Sequence, residues 1–158
     1  MKNYLFILLS TLFLFSCGSD DPEPEIDNIL IIPGIGITDV SLGDTGQDVF
    51  DAYGTTQDSY VSFGDDYNHF LLYLSTGLNF YLEPYPSEEL DLTKPVIRIN
   101  ISSPSTAKTA EGIGIGSTMA EVKAAYGDPI SSSIFGDAYD GMTIDYDTTD
   151  IVDSIEIE

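Results

Sequence analysis

The chain has 158 residues and a formal charge of −22, from 27 acidic against 5 basic side chains, with one cysteine, one histidine and no tryptophan. So acidic a surface excludes a nucleic-acid partner, whose phosphates demand a basic face. It also disfavours adsorption to anionic lipid headgroups, and the single cysteine leaves no disulfide to be formed within the chain.

Residues 1–16, MKNYLFILLSTLFLFS, carry one lysine and then an apolar run broken only by Ser10 and Thr11. The run is too short for an ordinary membrane-spanning helix and has the shape of the apolar region of a signal peptide. It ends in Leu14-Phe15-Ser16-Cys17, which resembles the lipobox of bacterial lipoproteins. The resemblance implies cleavage before Cys17 and lipid attachment to it, so the chain would meet the membrane through that lipid. Several acyl chains on one cysteine anchor firmly, at about 0.8 kcal/mol for each buried methylene.

Residues 17–28 form an acidic tether with Pro22 and Pro24, too polar to join a core. Ser19-Asp20-Asp21 resembles the acidic signal that sends some Gram-negative lipoproteins to the cell surface. Localisation at the outer membrane, on the outer side, is therefore expected, with a periplasm-facing anchor as the alternative. Residues 29–158 are then expected to form a single domain.

That domain is built on an internal duplication. Residues 39–54, DVSLGDTGQDVFDAYG, align without gaps on residues 112–127, GIGIGSTMAEVKAAYG. Six of the sixteen positions are identical: Gly43/Gly116, Thr45/Thr118, Val49/Val122, Ala52/Ala125, Tyr53/Tyr126 and Gly54/Gly127. In each copy a short apolar approach stops at a glycine. A capping box follows, Thr45 with Asp48 and Thr118 with Glu121. About two helical turns then place Val49, Ala52 and Tyr53, or Val122, Ala125 and Tyr126, on one face. A C-terminal glycine closes each helix, and Pro129 forbids continuation of the second. Helices this short are not stable alone, so each unit must supply a sheet.

In chain order, residues 29–37 (ILIIPGIGI) read as an interrupted edge strand. Residues 59–63, 70–74, 78–82 and 96–101 read as strands of the first unit, with a turn at 64–66 and a polar loop at 84–92. After a small-residue linker at 102–108, the second unit shows strands at 132–135, 142–146 and 151–157 and a turn at 136–140. Val96, Ile99 and Ile101 match Val152, Ile155 and Ile157 in spacing. The expected fold class is α+β: two tandem repeats, at about 39–101 and 112–158, each a short helix followed by antiparallel strands, with the helices packed on one face of the sheet.

The run GIGSTMAEVKAAYGDP, followed by strands that end with Ile155 and Ile157, resembles the tandem repeat of β-lactamase-inhibitory-protein-like domains. The small lipoprotein of the outer-membrane β-barrel assembly machinery carries a related single unit. The resemblance implies an architecture and a tendency to bind proteins; it transfers no functional residue.

Chemistry is sparse. His69 has no spacing to a nucleophile that marks a triad, and no G-x-S-x-G elbow is present, so the chain reads as non-catalytic, a hydrolase of envelope polymers being a distant alternative. His69 itself reads as a turn or strand-edge residue. Acidic turns (Asp65, Asp66 and Asn68; Asp137 and Asp140; Asp145, Asp147, Asp150 and Asp153) offer oxygens that would suit an incidental calcium ion, but none fits the D-x-[DN]-x-[DN]-G loop, so no cofactor and no metal site is assigned. Alternation places Leu78, Phe80 and Leu82 against the helices. If Phe70, Leu72 and Leu74 join them, then Leu71, Tyr73 and Tyr81 face outward as a partner-binding patch. The function expected is a lipid-anchored cell-envelope module that binds or inhibits a protein not identified by the sequence; the alternative is an accessory of outer-membrane assembly.

Overall fold

A computed structural model describes residues 28–158. The signal segment, Cys17 and nearly all of the tether lie outside the described residues. The elements run β1 (Leu30–Ile32), β2 (Gly36–Ile37), β3 (Val40–Ser41), α1 (Gly46–Tyr53), β4 (Gln57–Phe63), β5 (Asp66–Tyr73), β6 (Leu78–Leu82), β7 (Val96–Ser102), β8 (Lys108–Thr109), α2 (Met119–Tyr126), β9 (Ser131–Ser133), β10 (Gly136–Tyr139), β11 (Met142–Tyr146) and β12 (Val152–Ile157).

The strands form two sheets. The larger has eight strands in the order β4-β5-β6-β7-β12-β11-β10-β9, antiparallel throughout. The smaller has the order β3-β2-β1-β8, in which only β1 and β8 run parallel. Each half of the large sheet is a four-stranded meander, and the halves meet where β7 pairs with β12.

The two meanders are fastened in the same way. The Gly43 N–H donates to the Val96 carbonyl at 2.8 Å, and the Gly116 N–H to that of Val152 at 2.9 Å. The Gly46 N–H donates to Lys94 at 3.0 Å, and the Met119 N–H to Asp150 at 2.9 Å. In both copies the start of the helix is tied to the start of the last strand of its own unit. Both capping boxes form, with the Thr45 N–H 2.8 Å from the Asp48 carboxylate and the Thr118 N–H 2.7 Å from that of Glu121.

The fold class differs from the α+β expectation. Among the described residues the protein is mostly β, with 45% in strands and 12% helical, and the helices do not form a layer on a sheet face. The backbone of α1 lies nearest β3, its neighbour in sequence. Of the three residues expected to share a buried face in each helix, Val49 and Tyr53 are buried in α1 but only Val122 in α2, and both alanines are exposed. Eight-residue helices lend the core few side chains: Phe50 and Tyr126, partly buried, are the other two that pack against it. Ile31, Ile37 and Val40 of the small sheet join Leu71, Leu78, Phe80, Ile99, Ile101, Ile144 and Ile155 of the large sheet in one hydrophobic core.

Two readings of strands are also corrected. The stretch 29–37 folds back as β1 and β2 of the small sheet. Residues Gly136–Tyr139, expected as a turn, are β10: pairing with Met142, Thr143 and Ile144 overrides the turn-like Gly-Asp.

Candidate functional site

The large sheet has two unlike faces. Its inner face is buried in the core. Its outer face carries Phe70, Leu72, Asn79, Tyr81, Arg98, Asn100, Thr143, Asp145, Ser154 and Glu156, all of intermediate exposure. Alternation and register set this division: Phe70 pairs with Tyr81 and Tyr81 with Arg98, while Asn79 pairs with Asn100 and Asn100 with Glu156.

The outer face is organised around Tyr81 and Arg98. The rings of Phe70 and Tyr81 meet edge-on, 4.8 Å between centroids at 80°, a geometry worth about 0.5–1.5 kcal/mol beyond simple burial. The Arg98 guanidinium lies 5.5 Å over the Tyr81 ring and 3.5 Å from both Glu156 and Glu158. Each such exposed contact contributes about 1 kcal/mol or less. Together they hold the arginine between the Tyr81 ring and the two glutamates. Burial pushes the Glu156 carboxyl up from the ordinary glutamate range, Arg98 pulls it down, and burial prevails. Beside Arg98 the surface dips into a concavity of about 350 Å³, lined also by Asn100, Thr143, Asp145, Ser154 and Glu156 and rimmed by Ile134 and Phe135.

The structure divides the three residues expected to face outward. Tyr81 is on the outer face. Leu71 and Tyr73 are buried on the inner one, which corrects the expectation for both. The reason is register: Leu71 pairs with Phe80 and Tyr73 with Leu78, so they share the core face of β6. Phe70 and Leu72 take the outward positions instead. The run Phe70-Leu71-Leu72-Tyr73-Leu74 is apolar at every position, so alternation within it could not choose a face.

His69 is the second polar feature, and its setting differs from the turn or strand-edge reading. It is fully buried in β5. Its Nδ1 lies 3.1 Å from Asp58 Oδ1, its Nε2 3.0 Å from the Ser87 carbonyl oxygen, and its ring stacks on Tyr85 at 4.8 Å and 8°. Tyr67 and Tyr85 bridge through their backbones. His69 thus pins the loop between β6 and β7 over the first meander. Asp58 comes from β4 and Tyr85 and Ser87 from the distant β6–β7 loop, so no local motif signals the arrangement.

Among the described residues no three His, Cys, Asp or Glu side chains gather closely enough to hold a metal ion, and no helix is long and apolar enough to cross a membrane. Asp147, one of the acidic-turn residues, accepts from the Thr149 and Ile151 N–H groups at 2.8 and 3.1 Å and from the Thr149 hydroxyl. Those bonds hold its carboxyl below the usual range. No family model, curated protein or solved structure matches this chain.

Proposed function

We propose that this is a lipid-anchored cell-envelope protein that acts as a non-catalytic binding module, holding a protein partner on the outer face of its eight-stranded sheet. One observation carries the reading. The inner face of that sheet is closed by the core, whereas the outer face, with Phe70, Tyr81 and Arg98 on its first meander, has no covering layer among the described residues. Aromatic rings and a held arginine amid small polar groups suit a protein surface. The lipobox-like Leu14–Cys17, the acidic tether and the charge of −22 support an anchored domain projecting from the outer membrane, on the cell-surface side.

The test is site-specific photo-crosslinking in intact cells. A photoreactive residue at Tyr81 or Asn79 is expected to give one discrete adduct, and the same residue at the exposed Lys123 none. Equal labelling at all three positions, or none at any, overturns the proposal. A non-penetrating protease applied to intact cells, with Cys17→Ala as control, locates the domain. Digestion while periplasmic markers survive is expected. Protection until lysis turns the reading to a periplasm-facing assembly accessory.

A further inference from the structure

The two meanders end differently. In the first, β4 and β5 pair over seven positions, and the loop from Leu82 to Val96 folds back to stack Tyr85 on His69. In the second, β9 and β10 pair over only three, and the connection from Tyr146 to Val152 is too short to reach back. The corner that the first unit closes with its own loop is open in the second.

That open corner is also unguarded. β9 is an edge strand with all three serines exposed. Residues 130–136, ISSSIFG, hold no charge and no proline, in a chain that is 20% charged. Natural edge strands usually carry such guards, because their free N–H and C=O groups recruit other strands. The flanking Ile130, Ile134 and Phe135 are 76%, 90% and 78% exposed, the most exposed large hydrophobic residues described.

We infer that β9 receives an extended, basic segment of a partner protein as a ninth strand of the sheet, with Ile134 and Phe135 clamping its apolar side chains. Backbone hydrogen bonds give such strand addition its affinity, and alternate side chains its specificity. A second copy of this chain is the poorer occupant. Three-residue strands bury far less than the roughly 1,200 Å² of a stable dimer, and two bodies of charge −22 repel. The same charge attracts a cationic segment; in the concavity that Ile134 and Phe135 rim, Glu156 is paired with Arg98 and Asp145 is the remaining carboxylate. This inference rests on the protein being a protein binder, and its contacts are the β9 edge with Ile134 and Phe135, which adjoin the outer face at Arg98.

The test uses the full chain in neutral detergent and a capped peptide of alternating lysine and valine, about ten residues long. Saturable binding is expected, with amide NMR shifts centred on Ser131–Ser133. N-methylation of alternate peptide amides and Phe135→Ser are each expected to weaken binding by about tenfold or more, while Tyr81→Ala leaves it unchanged. A glutamate–valine peptide should not bind. No binding by the lysine peptide overturns the inference. So does equal binding by its N-methylated form, which would mean charge attraction alone. Concentration-dependent dimers abolished by Ser132→Pro would make a second copy the occupant and overturn it too. If Tyr81→Ala weakens binding and Phe135→Ser does not, the edge is wrong and the face reading survives.

Discussion

Asn100 of β7 and Glu156 of β12 are register partners at the centre of the eight-stranded sheet, and they are equivalent residues of the two repeats. The spacing that aligns Val96, Ile99 and Ile101 with Val152, Ile155 and Ile157 also aligns these two. A pseudo-two-fold axis therefore passes between them, and each unit meets its own copy edge to edge. The pairing leaves one sheet with a single continuous core, so unfolding should be one cooperative event. The symmetry reaches the helices: Tyr53 lies 5.7 Å from Tyr73, and Tyr126 lies 5.9 Å from Tyr139.

The two capping boxes should therefore behave alike. Thr45→Ala and Thr118→Ala each remove a hydroxyl that accepts from the third helical N–H, and each should lower stability by about 1 kcal/mol in urea unfolding. Asp48 and Glu121 both have carboxyls held below the usual range, Asp48 chiefly by the Thr45 hydroxyl and Glu121 chiefly by the Thr118 backbone N–H. Their stabilisation is full above the unfolded carboxyl range and is lost as pH falls through the lowered folded values. The alanine variants should accordingly lose less stability on acidification than the parent. Parallel acid curves would show that the boxes contribute nothing.

Alkali should unfold the protein through its tyrosines. Burial pushes the Tyr73 hydroxyl up to about 12 from its ordinary 10.0, and its O–H donates to the Gly54 carbonyl oxygen. Burial also brings Tyr126 to about 12. A raised tyrosine pKa means that the folded state keeps a proton the unfolded chain releases. The stability is complete below pH 10 and falls as pH rises towards 12. Tyr73→Phe should flatten that decline in denaturant melts taken across the range. An unchanged slope would remove Tyr73 from the account.

His69→Ala should be among the costlier single changes. It opens a cavity beneath Tyr85 and strips partners from the Asp58 carboxylate and the Ser87 carbonyl. A loss of about 2–4 kcal/mol is expected from the cavity and the broken hydrogen bonds together. Amide exchange should quicken most in the loop from Leu82 to Val96, and in β9–β12 only by as much as the global loss of stability requires. Uniform acceleration would mean that His69 supports the whole core rather than one loop.

Local signals were legible and long-range ones were not. The capping boxes, the glycine stops and the spacing of the closing strands could be read because each is set within a few residues. The burial of Leu71 and Tyr73 could not, because it depends on which residue of β6 lies opposite. The small sheet was hidden for a similar reason: Leu30 pairs with Lys108 across most of the first unit. The outward position of Tyr81 is legible because Leu78, Phe80 and Leu82 alternate with Asn79 and Tyr81, so one face of β6 is unambiguous. The open corner at Phe135 appears only when the lengths of the two hairpins are compared in space.

Two glycines with similar backbones separate conformation from crowding. Gly77 and Gly116 both have positive φ, at 68° and 87°. A side chain at Gly116 would meet nothing within 4 Å, so Gly116→Ala should cost only the unfavourable backbone, about 1 kcal/mol. A Cβ at Gly77 would run into the Ser102 carbonyl oxygen and press on the Ser105 and Pro104 nitrogens. These are backbone atoms at the end of β7, where the Ser102 N–H donates to the Gly77 carbonyl at 2.9 Å. They cannot move without disturbing the β6–β7 pairing beside the pseudo-two-fold axis. Gly77→Ala should therefore cost about 3 kcal/mol or more, adding overpacking to backbone strain. Urea unfolding of the two variants decides the matter: equal losses would mean that backbone conformation alone fixes both glycines, and a large excess for Gly77 would mark the tight seam between β6 and β7.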